Sequence, residues 1–494
     1  MTARKAIFVD PRDSVATALA DLAAGDRIDV GAGVTLIEPI ARGHKVAVTD
    51  IAAGDPVLKF GFSIGTARTA IVCGAHVHSH NMATALSTDD THAYRPDPDP
   101  APPLADAPGF MGYLRDDGRA ATRNEIWVLP TVGCVARTAT KIAEAADRLH
   151  RGRVDGVHAF THPFGCSQLG DDLDGTRAIL AALASHPNAG GVLLVGLGCE
   201  SNQLDALIDS IDPAVRGRVR SLRAQSAGDE IAEGLASIGE LVDRAETAQR
   251  QLLPLGKLVL GVKCGGSDGL SGLTANPLVG RMSDAVTGLG GATILTEIPE
   301  IFGAEHLLMA RAADRGIFDA IDRMVADFKA YFTAHGEPVS ENPSPGNIAG
   351  GITTLEEKSL GAVQKAGRAV VTDVIAYGAR ATKPGLTLLE APGNDAVSST
   401  ALSAAGATVI LFTTGRGTPL GFPVPTIKVA SNHDLAARKP GWVDFDGGQV
   451  LEGGLDDGAT ALLDLVAAVA SGRETAAERN GEREIAIWKR GVTL

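Results

Sequence analysis

The spacing of apolar positions divides the chain into two regimes. Over residues 5–82, short apolar runs (Ile28-Asp29-Val30, Val34-Thr35-Leu36-Ile37, Lys45-Val46-Ala47-Val48, Val57-Leu58-Lys59-Phe60) are separated at close intervals by Gly-Asp and Gly-His turns. Brief strands punctuated by turn residues describe a small β-rich module, with one helix predicted from Ser14 to Ala24 and Ser14 as its N-cap. From Gly109 onward, strand-like apolar runs alternate with helical patterns, which predicts α/β units around largely parallel sheets. Strands are expected at 126–129, 154–160, 191–197, 219–224, 258–262, 292–295, 369–372, 387–389, 409–412 and 426–429. Helices are expected at 136–149, 176–184, 228–252, 277–287 and 354–365. Between the regimes, residues 88–108 repeat Asp and Pro without any apolar period and read as an extended linker. The expected units are therefore 1–87, the linker 88–108, an α/β unit 109–255 and a C-terminal α/β unit 256–494.

Composition narrows the function. With 45 Lys+Arg against 59 Asp+Glu, the net charge of -14 argues against a nucleic-acid or anionic-membrane partner. No run reaches the apolar length of a bilayer span, and Met1–Asp10 lacks the apolar core of a signal peptide, so the expected address is cytoplasmic. Five widely spaced cysteines are an odd number and no disulfide framework. Cys73 and Cys134 read as small buried hydrophobes. Neither a dinucleotide fingerprint nor a Walker sequence is present, although Thr414-Gly415-Arg416-Gly417-Thr418 has the composition of a weak anion cradle.

Chemistry concentrates where predicted strands end. The run Leu258–Val262 breaks into Lys263-Cys264-Gly265-Gly266-Ser267-Asp268-Gly269, a turn bearing an amine, a thiol, a hydroxyl and a carboxylate. Ligands of open α/β sheets bind beyond the carboxyl ends of the strands. His162-Pro163-Phe164-Gly165-Cys166 and Gly196-Leu197-Gly198-Cys199-Glu200 repeat the design of a cysteine beside glycine after a buried strand. If these ends converge, Cys166, Cys199 and Cys264 could hold iron or an iron–sulfur cluster; independent buried cysteines are the alternative. Gly74-Ala75-His76-Val77-His78-Ser79-His80-Asn81 would set three imidazoles on one face of a strand, a spacing suited to a divalent metal. Arg115, Arg119 and Arg123, with Asn124, could fork onto a carboxylate or form internal ion pairs. Glu297, after the run 292–295, is a candidate base or metal ligand, with Glu300 read as a helix-capping residue.

Taken together, Val77–Asn81, Gly112-Tyr113-Leu114-Arg115-Asp116-Asp117-Gly118-Arg119, His162–Gly170, Gly196–Glu200, Lys263–Asp268, Gly346–Gly351 and Thr353–Ser359 resemble the altronate/galactarate dehydratase family, most closely its altronate-type members. The resemblance implies a small N-terminal SAF (β-clip) domain followed by a large α/β body with mostly parallel sheets. It also implies a hydro-lyase reaction on a small-molecule sugar acid, most simply D-altronate to 2-keto-3-deoxy-D-gluconate. Galactarate or a sulfolactate-type acid is the alternative substrate, and a non-catalytic sugar-acid sensor is the alternative class. The implied metal is Fe2+ or Mn2+, with an iron–sulfur cluster as the other option, and homo-oligomerisation is left open. Residue chemistry then assigns proton transfer to His162 and Glu297, with Lys263 beside them. Substrate binding falls to Arg115, Arg119, Arg123, Asn124, Gly265, Gly266 and Ser267. Metal binding falls to His78 and His80, or to the rival set Cys166, Cys199 and Cys264. Asp10-Pro11 stands where the family more often has His-Pro, and His76 where an aromatic is more usual. The His-rich end of the first module, followed by a linker, suggests a mobile lid.

Overall fold

The computed structural model describes residues 4–87 and 92–494. Met1–Ala3 and the start of the predicted linker, Thr88–Thr91, lie outside the described residues.

Residues 6–83 form a β-rich module. An antiparallel sheet orders the strands Ala6–Ile7, Val15–Ala18, Lys45–Ala47 and His76–Val77, beside the ribbon Pro56–Lys59, Phe62–Ala67 and Met82–Ala83. The expected helix at Ser14–Ala24 is instead the wholly buried strand Val15–Ala18, paired on both sides. Its alanines favour helix only weakly, and two flanking strands plus burial override that preference. Ser14 caps no helix; its hydroxyl accepts from the Leu58 amide at 2.8 Å. The predicted His strand also stops early, at Val77, because residues 78–81 turn back with the Asn81 and Met82 amides both donating to His78 O.

Residues 92–108 have no regular structure but are pinned to the body. His92 reaches Asp322, the Asp97 amide donates to Ala310 O, and Tyr94 packs edge-on against Phe318. Gly109–Leu114 then pairs antiparallel with Gln251–Pro254, so the segment between them begins and ends on one ribbon. The predicted helix 228–252 accordingly stops at Ala245, where the chain turns into this strand.

Within that segment, four parallel strands run in the order Val157–Ala159, Glu125–Pro130, Ala189–Gly196, Val219–Arg223. The two central strands are buried along their whole length, which explains their continuous apolar character. Helices Ala136–Leu149 and Glu230–Ala245 cover one face through Ile142, Ile238 and Leu241. The other face packs through Gly170–Ala184 against helix Asp395–Ala404 of the C-terminal unit. That unit is a seven-stranded parallel sheet in the order Val371–Ile375, Gly385–Leu389, Ala292–Leu295, Val259–Cys264, Val409–Thr414, Thr426–Ala430, Phe445–Asp446. Helices Ala275–Gly288 and Leu455–Ala470 seal its second face.

The N-terminal module is docked on the body in this structure. Lys45 and Lys59 each place Nζ 2.8 Å from the Glu357 carboxylate, with all three side chains almost fully buried. Thr354 Oγ1 donates to Ile64 O at 2.5 Å, and Val57, Ile64 and Met82 share one core with Phe302, Leu355 and Leu360.

Candidate active site

The strand Val259–Cys264 lies in the middle of the seven-stranded sheet and ends in two side chains of opposite direction, as strand alternation requires. Lys263 points toward helix Asp395–Ala404, with Nζ 2.6 Å from Asp395 Oδ1 and 3.2 Å from Ser398 Oγ. The Cys264 thiol donates to Glu300 Oε2 at 3.1 Å and accepts from Lys365 Nζ at 2.9 Å. Glu297, from the end of the neighbouring strand Ala292–Leu295, sits between them. Its Oε2 accepts from the Cys264 amide at 2.9 Å and from Lys365 at 3.0 Å. Its Oε1 lies 3.1 Å from Lys263 Nζ, close enough for an ion pair but off the axis a hydrogen bond needs. Glu297 holds φ at +65°, a strained conformation for a residue with a side chain, and its buried carboxylate contacts keep it there. Lys358 completes the set with Nζ 2.9 Å from Glu300 Oε1.

Three lysines and three carboxylates, counting Asp395, therefore form one network, closed except at Asp395, whose side chain is one-third exposed. Burial lowers the basicity of Lys263, but Glu297 and Asp395 more than reverse it; the Cys264 sulfur, as hydrogen-bond acceptor, with Glu297 and Glu300 does the same for Lys365, and Glu300 for Lys358. All three remain ammonium ions. Burial raises the Glu297 pKa, yet Lys263 and Lys365 outweigh it and hold the group ionised. The Cys264 thiol is pushed up to about 12 by burial, reinforced by Glu297 and Glu300, so it is a neutral hydrogen-bond bridge.

The turn beyond the strand is tightly built. A side chain at Gly265 would meet Asp395 Oδ2 and the Phe412 ring at 2.6 Å. The Gly265 amide is already spent on Thr413 O, whereas the Gly266 amide has no acceptor among the described residues. Ser267 is buried, and its carbonyl accepts from Asn347 Nδ2 at 2.8 Å. The amides of Gly415 and Arg416 both donate to Gly266 O, so the Thr414–Thr418 loop braces this turn rather than cradling an anion. A cavity of about 20 Å³, room for one water, lies beneath Ser267, Asp268 and Lys358. A larger one, about 420 Å³ and lined by Arg119, Lys257 and Lys383, opens at the amino ends of the strands, the wrong edge for an α/β active site.

Four imidazoles stand one loop away. His76, His78 and His80 are joined by His44, with ring centroids 5.0–5.5 Å apart and His44 Nδ1 3.0 Å from His76 Nε2. His78 Nε2 contacts Ile348 O at 3.0 Å, on the loop whose Asn347 also receives Lys358. Burial and mutual repulsion depress His76 to about 4, and burial lowers His44 and His78 as well, so these three rings are neutral, with both nitrogens of His44 and of His78 engaged in hydrogen bonds. This donor chemistry fits a borderline divalent ion. Cys264, Glu297 and Glu300 also bring three donor atoms within 4.8 Å of one another. Every one of those donors, however, is engaged by an ammonium or amide, and three buried lysines already balance the charge. The four imidazoles, by contrast, do not bring three nitrogens within 4.8 Å of one another, so they would have to draw together to share one ion.

Other expected residues are not brought together. Arg115 bonds Pro187 O, Asn124 Oδ1 and Arg123 O; Arg119 pairs with Asp117; Arg123 is forked onto Glu478. Asn124 Nδ2 is bound to Ala245 O. No arginine clamp forms, because each guanidinium is satisfied within the second unit or its seam. His162 has both ring nitrogens engaged, by Pro130 O and the Phe164 amide, which makes it a loop brace. Cys166 and Cys199 are exposed while Cys264 is buried in the lysine network, so those three do not form one ligand set. Lys365 is a site residue that the sequence does not single out; its only signal is a lysine in an apolar helical stretch.

Three family models match the chain: the altronate/galactarate dehydratase SAF domain at residues 4–85, the D-galactarate dehydratase/altronate hydrolase second domain at 112–246, and the D-galactarate/altronate dehydratase C-terminal domain at 255–493. The chain is 49% identical over 492 residues to the altronate dehydratase of Escherichia coli K12, covering 99% of each chain. It is 46% identical to the altronate dehydratase of Bacillus subtilis 168, again over 99% of each. Identity to the L-threo-forming galactarate dehydratase of E. coli K12 is 34%, over 95% of this chain and 93% of that one. With matches along nearly its whole length, the chain belongs to the altronate/galactarate dehydratase family.

Proposed function

We propose that the chain is a hydro-lyase that converts D-altronate to 2-keto-3-deoxy-D-gluconate. Full-length identity to altronate dehydratases, well above that to the galactarate enzyme, supports the substrate. The buried lysine–carboxylate network at the central strand end is the observation that supports the chemistry.

A base removes the proton on C2, the electron pair forms the C2–C3 double bond, and the C3 hydroxyl leaves with a proton as water. The resulting enol tautomerises to the 2-keto acid. The hard step places a second negative charge on a carboxylate, and preorganised cations lower its cost most. Lys263 and Lys365 supply fixed positive charge at this point, and Glu297, ionised between them, is the proton acceptor. Lys358, an ammonium beside Glu300, is the donor to the leaving hydroxyl. The free Gly266 amide and Asp395 mark the mouth through which the carboxylate end enters. A divalent metal, Fe2+ or Mn2+, would when bound supply Lewis-acid polarisation of a substrate oxygen; His44, His76, His78 and His80 would hold it only after drawing closer together than they stand here.

The test is a panel of aldonates and aldarates, assayed for 2-keto-acid release with Fe2+ or Mn2+ under anaerobic conditions. Altronate is expected to be turned over best. Absence of keto acid from altronate would refute the assignment, and binding without turnover would favour a sensor.

A further inference from the structure

We propose that Cys134, Cys166 and Cys199 form a three-thiolate cradle for an iron–sulfur cluster, separate from Cys264 and from the histidines. The three parallel strands Val157–Ala159, Glu125–Pro130 and Ala189–Gly196 are immediate neighbours, so the loops that follow them leave the same sheet edge. Each loop carries one cysteine, and all three thiols are exposed. Cysteine is among the most buried residue types, and the sequence predicts burial for Cys134; three exposed on one edge are not packing residues.

The loops are stitched together. The Gly133 amide donates to Phe164 O at 2.8 Å, and the Asn202 amide to Gly165 O at 2.9 Å. Asn202 Nδ2 donates to Thr131 O at 3.2 Å, and Glu200 accepts from Thr131 Oγ1 at 2.7 Å and from the Gly198 amide at 2.6 Å. Gly165, at φ +99°, presses so closely on the first loop that a Cβ would stand 2.1 Å from Thr131 O. Ser167, next to Cys166, is held at φ +56°. These bonds fix where the thiols stand without using the thiols.

Two observations point to a ligand. Asn202 is fully buried within this stitching, yet its Oδ1 has no partner. Gln225 Nε2 donates to Cys199 Sγ at 3.5 Å, the kind of N–H···S bond that tunes cluster thiolates. Among the described residues, only Cys264, Glu297 and Glu300 bring three donors within 4.8 Å, so at least one pair of these three sulfurs is farther apart than a single ion would draw its ligands. A sulfide-bridged cluster spreads its thiolates more widely, and with three of them it leaves one iron open to a small oxygen ligand.

The test is anaerobic reconstitution of the full chain with iron and sulfide. Expected are iron and acid-labile sulfide in equal amounts, with a visible band bleached by dithionite. Cys134→Ser, Cys166→Ser and Cys199→Ser should each lower bound iron and sulfide at least tenfold with an unchanged far-UV circular dichroism spectrum, while Cys73→Ser retains both. Iron without sulfide, no uptake at all, or full uptake by the triple variant would overturn the proposal.

Discussion

Glu357 is the most demanding point in the seam between the N-terminal module and the body. Its Oε2 accepts from Lys45 Nζ at 2.8 Å and from the Thr353 amide and hydroxyl at 2.9 Å, while Oε1 accepts from Lys59 Nζ at 2.8 Å. The carboxylate and both lysines are at most 4% exposed. Glu357→Gln preserves shape but leaves two buried ammonium ions without a counter-charge, and the new NH2 must face one donor with another. Breaking a buried pair by removing one partner costs about 3–5 kcal/mol. At roughly 1.4 kcal/mol per tenfold, that is between about two and four orders of magnitude in local opening. Hydrogen exchange of helix Leu355–Ala362 and strand Lys45–Ala47 is the assay, supported by the urea midpoint. A second variant separates charge from packing: Lys45→Met, Lys59→Met and Glu357→Met together remove all three charges and should recover most of the loss. Protection in Glu357→Gln within tenfold of the unmodified chain would refute the reasoning. A triple variant as unstable as the single one would show that shape rather than charge holds the seam.

Three further outcomes follow from the structure. Glu297→Gln and Lys365→Met should each lower kcat by about 10²–10⁴ while leaving the thermal midpoint of folding measurable and cooperative, since each removes a charge that the proposed mechanism uses; equal loss of folding and activity would point to a structural role alone. In metal-free protein at neutral pH, a thiol reagent should modify Cys134, Cys166 and Cys199 rapidly and Cys264 only after unfolding, because burial and the two glutamates keep its thiol protonated. Burial holds His186 near 3, with its Nε2 bonded to Ala407 O across the two sheets, so the unfolded chain binds a proton there that the native state does not. Its contribution is present above the ordinary histidine value of 6.5 and is lost as pH falls from there toward 3; fluorescence of Trp127, stacked on His186, should report earlier acid unfolding in the unmodified chain than in His186→Gln once their neutral-pH stabilities are aligned.

The alternation of apolar runs and helices makes the two parallel sheets legible, because strands buried on both faces must be apolar throughout; Glu125–Pro130 and Ala189–Gly196 are examples. Val15–Ala18 reads as helix since a four-residue buried strand and one turn of helix carry the same local signal, and only its partners decide. At the site, Lys263 and Glu297 are visible as polar residues at strand ends, but the arginines are not separable from a clamp by spacing alone. Arg119 pairs within its own loop with Asp117 and Arg115 with Asn124 nine positions on, but the partner of Arg123, Glu478, lies 355 positions away and is set by tertiary contact. Lys358 and Lys365 reach the network from helical turns far along the chain, and no local pattern announces a lysine that will be neutralised by a distant glutamate. Cys134 fails in the opposite sense, since a thiol after an apolar strand predicts burial and the loop turns it outward.

The antiparallel ribbon between Gly109–Leu114 and Gln251–Pro254 gives the middle of the chain a single doorway: Gly109 faces Pro254, and everything from 115 to 250 is strung between two adjacent points. A segment closed in this way can lengthen, shorten or be exchanged without rethreading the sheets on either side, and its own ends need not search for each other through the rest of the polypeptide. The stretch 109–254 thus hangs from one ribbon, with every strand of the seven-stranded sheet following it in the chain and its own inner face packed on that unit.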